Sequence, residues 1–180
     1  LMREKSFLEG LTTLGQHGYT FDAWLYFDQL NELVDISRSC PEIPIILNHL
    51  GAPLAIGRWG SKSNEVEEVW KNQLTKLSKS KNVFLKIGGI GMDNYFDTGW
   101  SALKAPPSSE QVADFWKEKI IWAIETFSPD QCMFESNFPV DRQTLPYSVL
   151  WNAFQRITEQ YGANEKHALF SGTACAVYKI

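Results

Sequence analysis

Histidine is scarce in this chain: His17, His49 and His167 are the three in 180 residues. No two of them form an H-x-H pair, so the chain as given cannot assemble a binuclear histidine metal centre. Cysteine is as sparse. Cys40, Cys132 and Cys175 lie far apart with no C-x-x-C, which argues against a zinc knuckle or a disulfide framework and fits a reducing compartment. No apolar run approaches the ~20 residues that cross a bilayer. Nothing like a secretory leader precedes the first helical pattern, so a cytoplasmic location is expected. Lysine and arginine occur without blocks in a chain of net charge −4, which disfavours nucleic acid and anionic membrane as partners. The G-x-S-x-G elbow, the P-loop and a G-x-G-x-x-G turn after a strand are also missing.

What is present is an ordinary globular composition. With 44% hydrophobic residues and seven tryptophans, the chain can fill a core. Apolar residues recur at helical spacing over 4–16, 29–38, 65–79 and 109–127, and a further helix runs from Pro146 through Tyr161. Asp28, Asn64 (with Glu67), Ser108 (with Gln111) and Asn164 are the expected N-caps, and Thr173 opens the last turn. Between these helices lie β-rich runs at 19–26, 45–49, 83–87 and 131–135. Strands alternating with amphipathic helices predict a parallel sheet with right-handed crossovers, half the content of an eight-stranded barrel. One domain over 1–180 is expected.

Two strand ends carry the chemistry. Ile45-Ile46-Leu47 runs into Asn48-His49-Leu50-Gly51, and Cys132-Met133-Phe134 runs into Glu135-Ser136-Asn137-Phe138-Pro139-Val140-Asp141-Arg142. In β/α enzymes the site forms where packed strands open into polar residues. A histidine among apolar residues is more often a satisfied core group; the strand-end position of His49 favours a metal ligand, a carbonyl electrophile or a general base. Asn137 can orient water or substrate but cannot take a proton at neutral pH. Lys86, inside an apolar strand, either reaches the barrel mouth to hold an anion or snorkels at an edge. Asp22, Trp24 and Tyr26 alternate along one strand face and can line a pocket. Arg142 can clamp a carboxylate or pair at the surface. Gly88-Gly89 fits a close backbone approach or a tight turn. His17 and His167 fall in helical segments and are expected to be structural or exposed.

These strand ends, together with Phe21–Tyr26, Lys86–Met92 and the closing Leu169–Tyr178, resemble the amidohydrolase-2 family, TIM-barrel hydrolases related to 2-pyrone-4,6-dicarboxylate lactonase and sugar lactonases. The resemblance covers essentially the whole chain. It implies a (β/α)8 barrel of which this chain is about the C-terminal half, strands four onward, with the H-x-H strand lying before Leu1. It implies a hydrolase acting on a lactone or related cyclic ester of a carboxylated or sugar-like small molecule, with His49 in the catalytic centre. The family's last strand usually supplies an aspartate that activates water; here Asn137 stands at that place, so either another group (His49, Glu135 or Asp141) activates water or the reaction differs. The divalent metal (zinc) of full-length relatives is not carried over to these residues, and no metal ligand or other cofactor is assigned. The rival reading is a catalytically incomplete polypeptide that keeps the fold and an oligomer interface; a metal-dependent decarboxylase is disfavoured by the missing aspartate. A half barrel exposes sheet edges and an inner face, so a homo-oligomer, or cover from other segments, is expected.

Overall fold

The structure, a computed structural model, describes residues 2–180. Its elements run α1 (Lys5–Gln16), β1 (Phe21–Ala23), α2 (Leu30–Ser39), β2 (Ile45–Leu47), α3 (Ser63–Leu77), β3 (Val83–Ile87), α4 (Ser109–Phe127), β4 (Cys132–Phe134), α5 (Tyr147–Ile157), α6 (Ala163–His167) and α7 (Thr173–Tyr178). The strands form one parallel sheet in the order β1-β2-β3-β4. This is the expected α/β partial barrel, with chain order equal to sheet order.

Parallel register sorts the strand residues onto two faces with period two. Ala23, Leu47, Leu85 and Cys132 are successive partners, as are Phe21, Ile45 and Val83. Both rows face the main core, where Phe27, Leu33, Trp70, Trp116 and Phe154 from the loops and helices are fully buried. The alternate row runs through Asp22, Ile46 and Phe84, with Lys86 beside Met133. Its apolar members are covered by α7, whose Val177 packs on Ile46 and Met133 with Ala174 and Tyr178 alongside. A segment of the chain itself therefore shields the inner sheet face.

Several local expectations shift. The first strand pairs only over Phe21–Ala23, because the chain then turns at 27–29, where the Gln29 side chain accepts from the Tyr26 N–H at 3.1 Å. Asp28 caps no helix; it pairs with Arg58 at 2.6 Å. Asn64 lies inside the first turn of α3, which starts one residue earlier without a side-chain cap. The Ser108–Gln111 capping box forms as the spacing predicts, Gln111 Oε1 accepting from Ser108 N at 2.8 Å. Helix α5 ends at Ile157 rather than Tyr161, and the Thr158 hydroxyl donates back to the Phe154 carbonyl at 2.8 Å. Gly162, not Asn164, precedes α6, its N–H donating to Glu165 at 2.7 Å.

The segment 93–107 is a built element rather than a loose loop. Asp93 accepts from the Thr98 hydroxyl at 2.7 Å and from the amides of Trp100 and Ser101 at 2.9 and 2.7 Å. These bonds outweigh burial and hold its carboxyl below the usual range. Tyr95 bridges to Leu54, tying the segment to the loop after β2, and Phe96 inserts edge-on against Trp70 and Trp116. Among the described residues no helix is long and apolar enough to cross a membrane.

Candidate active site

At the end of β2 the backbone leaves the sheet abruptly. His49, Leu50, Gly51 and Ala52 all have positive φ, between 46° and 70°. For non-glycine residues this left-handed conformation costs on the order of 1 kcal/mol each. Two side chains hold it. Trp70 donates its indole N–H to the Leu50 carbonyl at 2.6 Å. Glu135 Oε1 accepts from the His49 backbone N–H at 3.1 Å and lies 2.5 Å from His49 Nδ1. The carboxylate fixes the proton on Nδ1, so Nε2 is left as the basic nitrogen.

Glu135 can approach because residue 88 is glycine: a Cβ there would stand 2.7 Å from the Glu135 carbonyl oxygen and overlap its side chain. On its other side lies Lys86, whose ammonium is 2.6 Å from Asp22 and 4.0 Å from Glu135 Oε2. Tyr178 of α7 donates to both Asp22 oxygens at 2.9 and 3.0 Å, and its ring lies 5.3 Å from Lys86 Nζ. Burial alone would lower the Lys86 pKa, but the bonds to Asp22 and Tyr178 and the charge of Glu135 raise it, so the ammonium is kept.

The end of β4 supplies a second pair. Asn137, also in the left-handed region at φ 50°, donates its amide N–H to Asp141 Oδ1 at 2.8 Å. Asp141 is wholly buried and accepts from the Gly91 N–H at 3.2 Å. A Cβ on Gly91 would meet the Asp141 Cβ at 2.9 Å, so glycine is required for this approach. Burial pushes the Asp141 carboxyl up to about 6, against the opposing bonds from Asn137 and Gly91.

Trp24 stands edge-on to His49, ring centroids 6.2 Å apart, and donates its indole N–H to the Tyr95 hydroxyl at 3.5 Å. Tyr95 is buried, and that burial raises its phenol to about 12. Tyr26 stacks edge-on to Trp24 at 6.2 Å and is exposed.

The structure thus brings Asp22, Trp24, Lys86, His49 and Asn137 to one end of the sheet, with Tyr26 at its rim. Neither alternative for Lys86 describes it: the ammonium is occupied by the chain's own carboxylates. Trp24 and Tyr26 lie beyond β1 rather than alternating within it. Arg142 is exposed on the following turn, and no hydrogen bond or ion pair joins it to the cluster. His17 and His167 lie at the ends of α1 and α6, outside it. Tyr178 and Tyr95 escaped the sequence reading. Their contacts span 156 and 71 residues, and no local pattern announces such pairs.

A family model described as Amidohydrolase matches residues 3–180. The chain belongs to the amidohydrolase family. A protein named y4mH in Sinorhizobium fredii is 32% identical over 99% of this chain and 53% of its own length. An L-fucono-1,5-lactonase of Burkholderia multivorans is 24% identical over 98% of this chain and 57% of its own. The crystal structure of an amidohydrolase from Burkholderia multivorans with bound zinc superposes with a TM-score of 0.84 at 22% identity, covering 99% of this chain and 59% of that one. This amidohydrolase chain spans about half the length of the curated relatives it matches.

Zinc in that related structure raises the question of whether these residues fit a metal. They do not. Among the described residues no three histidine, cysteine or acidic side chains converge. The two that do meet, His49 and Glu135, are bonded to each other, and the Lys86 ammonium already stands beside Glu135. The Asn137 amide, a poorer ligand than a carboxylate, is turned to Asp141.

Proposed function

We propose that these strand ends form part of a hydrolase site that opens a cyclic ester, a lactone of a small hydroxylated or carboxylated acid. The observation that carries this reading is the His49–Glu135 pair, a base oriented by a carboxylate at the sheet end where barrel enzymes do their chemistry. His49 Nε2 takes a proton from water as the oxygen bonds to the lactone carbonyl carbon. The tetrahedral adduct then breaks its ring C–O bond, and the His49 proton passes to the departing alkoxide, leaving a hydroxy acid. Glu135 stabilises the imidazolium formed in between, and Lys86 steadies Glu135 from the other side. Asn137 orients the water through its carbonyl oxygen while its N–H is held by Asp141. The L-fucono-1,5-lactonases among the relatives support this reaction class.

A second reading is favoured by one observation, the amide at position 137. A chain without the usual acid can be a catalytically incomplete polypeptide that keeps the fold. Turnover of a lactone panel decides between them. The first reading expects hydrolysis that falls by about 10²-fold or more in His49→Ala, the usual worth of a general base. Hydrolysis indifferent to His49 removes that residue from the mechanism, and no hydrolysis of any lactone leaves the incomplete-polypeptide reading.

A further inference from the structure

The charges at this site say what kind of ring it can take. Asp22 and Glu135 are two carboxylates on one ammonium, Lys86. That ammonium is not free to meet a ligand: its side chain is 17% exposed, with Asp22 at 2.6 Å and Glu135 at 4.0 Å. The Tyr178 hydroxyl, shared between both Asp22 oxygens, holds that carboxylate in place beside Lys86. A carboxylate entering here would meet one more carboxylate than ammonium among partly buried groups, where like charges repel more strongly than in water.

What the site offers instead is a flat apolar face. Trp24 is 60% exposed, sits beside the His49 ring, and is pinned from beneath through its indole N–H by the buried Tyr95 hydroxyl. An indole face next to carboxylate acceptors suits a hydroxylated ring, whose C–H bonds lie on the aromatic plane while its hydroxyls donate to Asp22 or Glu135.

We propose that this site selects an uncharged, hydroxylated cyclic ester and rejects the same ring bearing a carboxylate, with Asp22 setting that choice by occupying Lys86 and with Tyr95 as the positioning residue for the Trp24 platform. The inference rests on the strand ends being the lactone site proposed above, but it concerns binding rather than cleavage. It is therefore tested on rings that cannot be cleaved.

Calorimetric titration of the intact protein with a hexono-1,5-lactam and with the matching lactam carrying a terminal carboxylate measures the preference directly. The uncharged ring is expected to bind at least about tenfold more tightly. Asp22→Asn frees Lys86 and narrows that ratio by about tenfold; Lys86→Gln widens it; Arg142→Gln leaves it unchanged. Tyr95→Phe lets the indole turn and weakens the uncharged ring several-fold, while lactam-induced quenching attributable to Trp24 (the part lost in Trp24→Phe) falls with it. A wild-type preference for the carboxylated ring, a ratio indifferent to Asp22, or one that depends on Arg142 overturns the proposal. If the lactams show the expected preference but no lactone is turned over, the cleavage reading fails and charge selection stands. Lactones turned over without regard to charge give the reverse. If the uncharged ring does not bind at all, charge selection is overturned, and lactone turnover alone decides the cleavage reading.

Discussion

The two faces of the sheet solve different problems. The outer face packs Leu47, Leu85, Ile87 and Cys132 under α2, α3, α4 and α5, and its large side chains, Trp70 and Trp116 among them, are fully buried. The inner face has a small apolar patch, Ile46 and Met133 beneath Val177 of α7, and then gives way to Asp22 and Lys86. The contrast teaches that stability is concentrated on one side of a parallel sheet and chemistry on the other. The test with the largest expected effect strikes the outer face. Trp70→Ala removes a buried ring that packs on Phe96 and Trp122 and holds the Leu50 carbonyl. A loss of about 4 kcal/mol in urea unfolding is expected. Because the Leu50 bond also shapes the His49 turn, the variant should bind ligand poorly even where it remains folded; a loss under about 1 kcal/mol would mean that the outer face does not dominate stability.

The next effect belongs to the active face and carries the opposite sign. Asp141 titrates near 6 in the fold against 3.8 for the free side chain. Its folded pKa lies above its unfolded one, so between these values the native state binds more protons and stability falls as pH rises. The stability of the wild type relative to Asp141→Asn should drop by about 2 kcal/mol between pH 4 and pH 7. Paired urea titrations at several pH values check this. A difference that stays flat, or that rises with pH, would show that Asp141 is not carried as a buried charge and that the active face is not paying in stability for its polar groups.

Much of this contrast could be read from the chain before any coordinates. The strand rows alternate between main core and inner face as period two requires, and the helices carry their apolar stripes where spacing put them. His49 and Asn137 stood out because they end apolar runs. Position alone could not show that Glu135 and Asp141 would be their partners. Asn137 meets Asp141 only four residues on, but the seats of both carboxylates depend on glycines at 88 and 91, dozens of residues away in the chain. Lys86 is the instructive case. Sequence reading weighed a free ammonium against a snorkelling one, because the carboxylate that occupies it lies 64 residues away on another strand. The Asp28 and Asn64 caps were misplaced for a more local reason: both residue types cap helices well, but an ion pair to Arg58 and an earlier helix start prevailed here.

The smallest predicted effect asks whether the inner face is held by α7 through apolar contact or through its one polar bridge. Tyr178→Phe keeps the ring over Lys86 and deletes only the hydroxyl that Asp22 accepts. Because Asp22 and Tyr178 are both partly exposed, water can replace the lost donor, and the stability cost should be about 1 kcal/mol or less. Val177→Ala, which thins the patch over Ile46 and Met133, should cost about 1 to 2 kcal/mol. The order matters more than either value. If Tyr178→Phe costs more than Val177→Ala, the helix is anchored by the Asp22–Lys86 pair, and the inner face has a polar core after all. If the order is as expected, the hydroxyl is there to fix Asp22 on Lys86, and its loss should appear in which ring the site binds rather than in how firmly the helix is held.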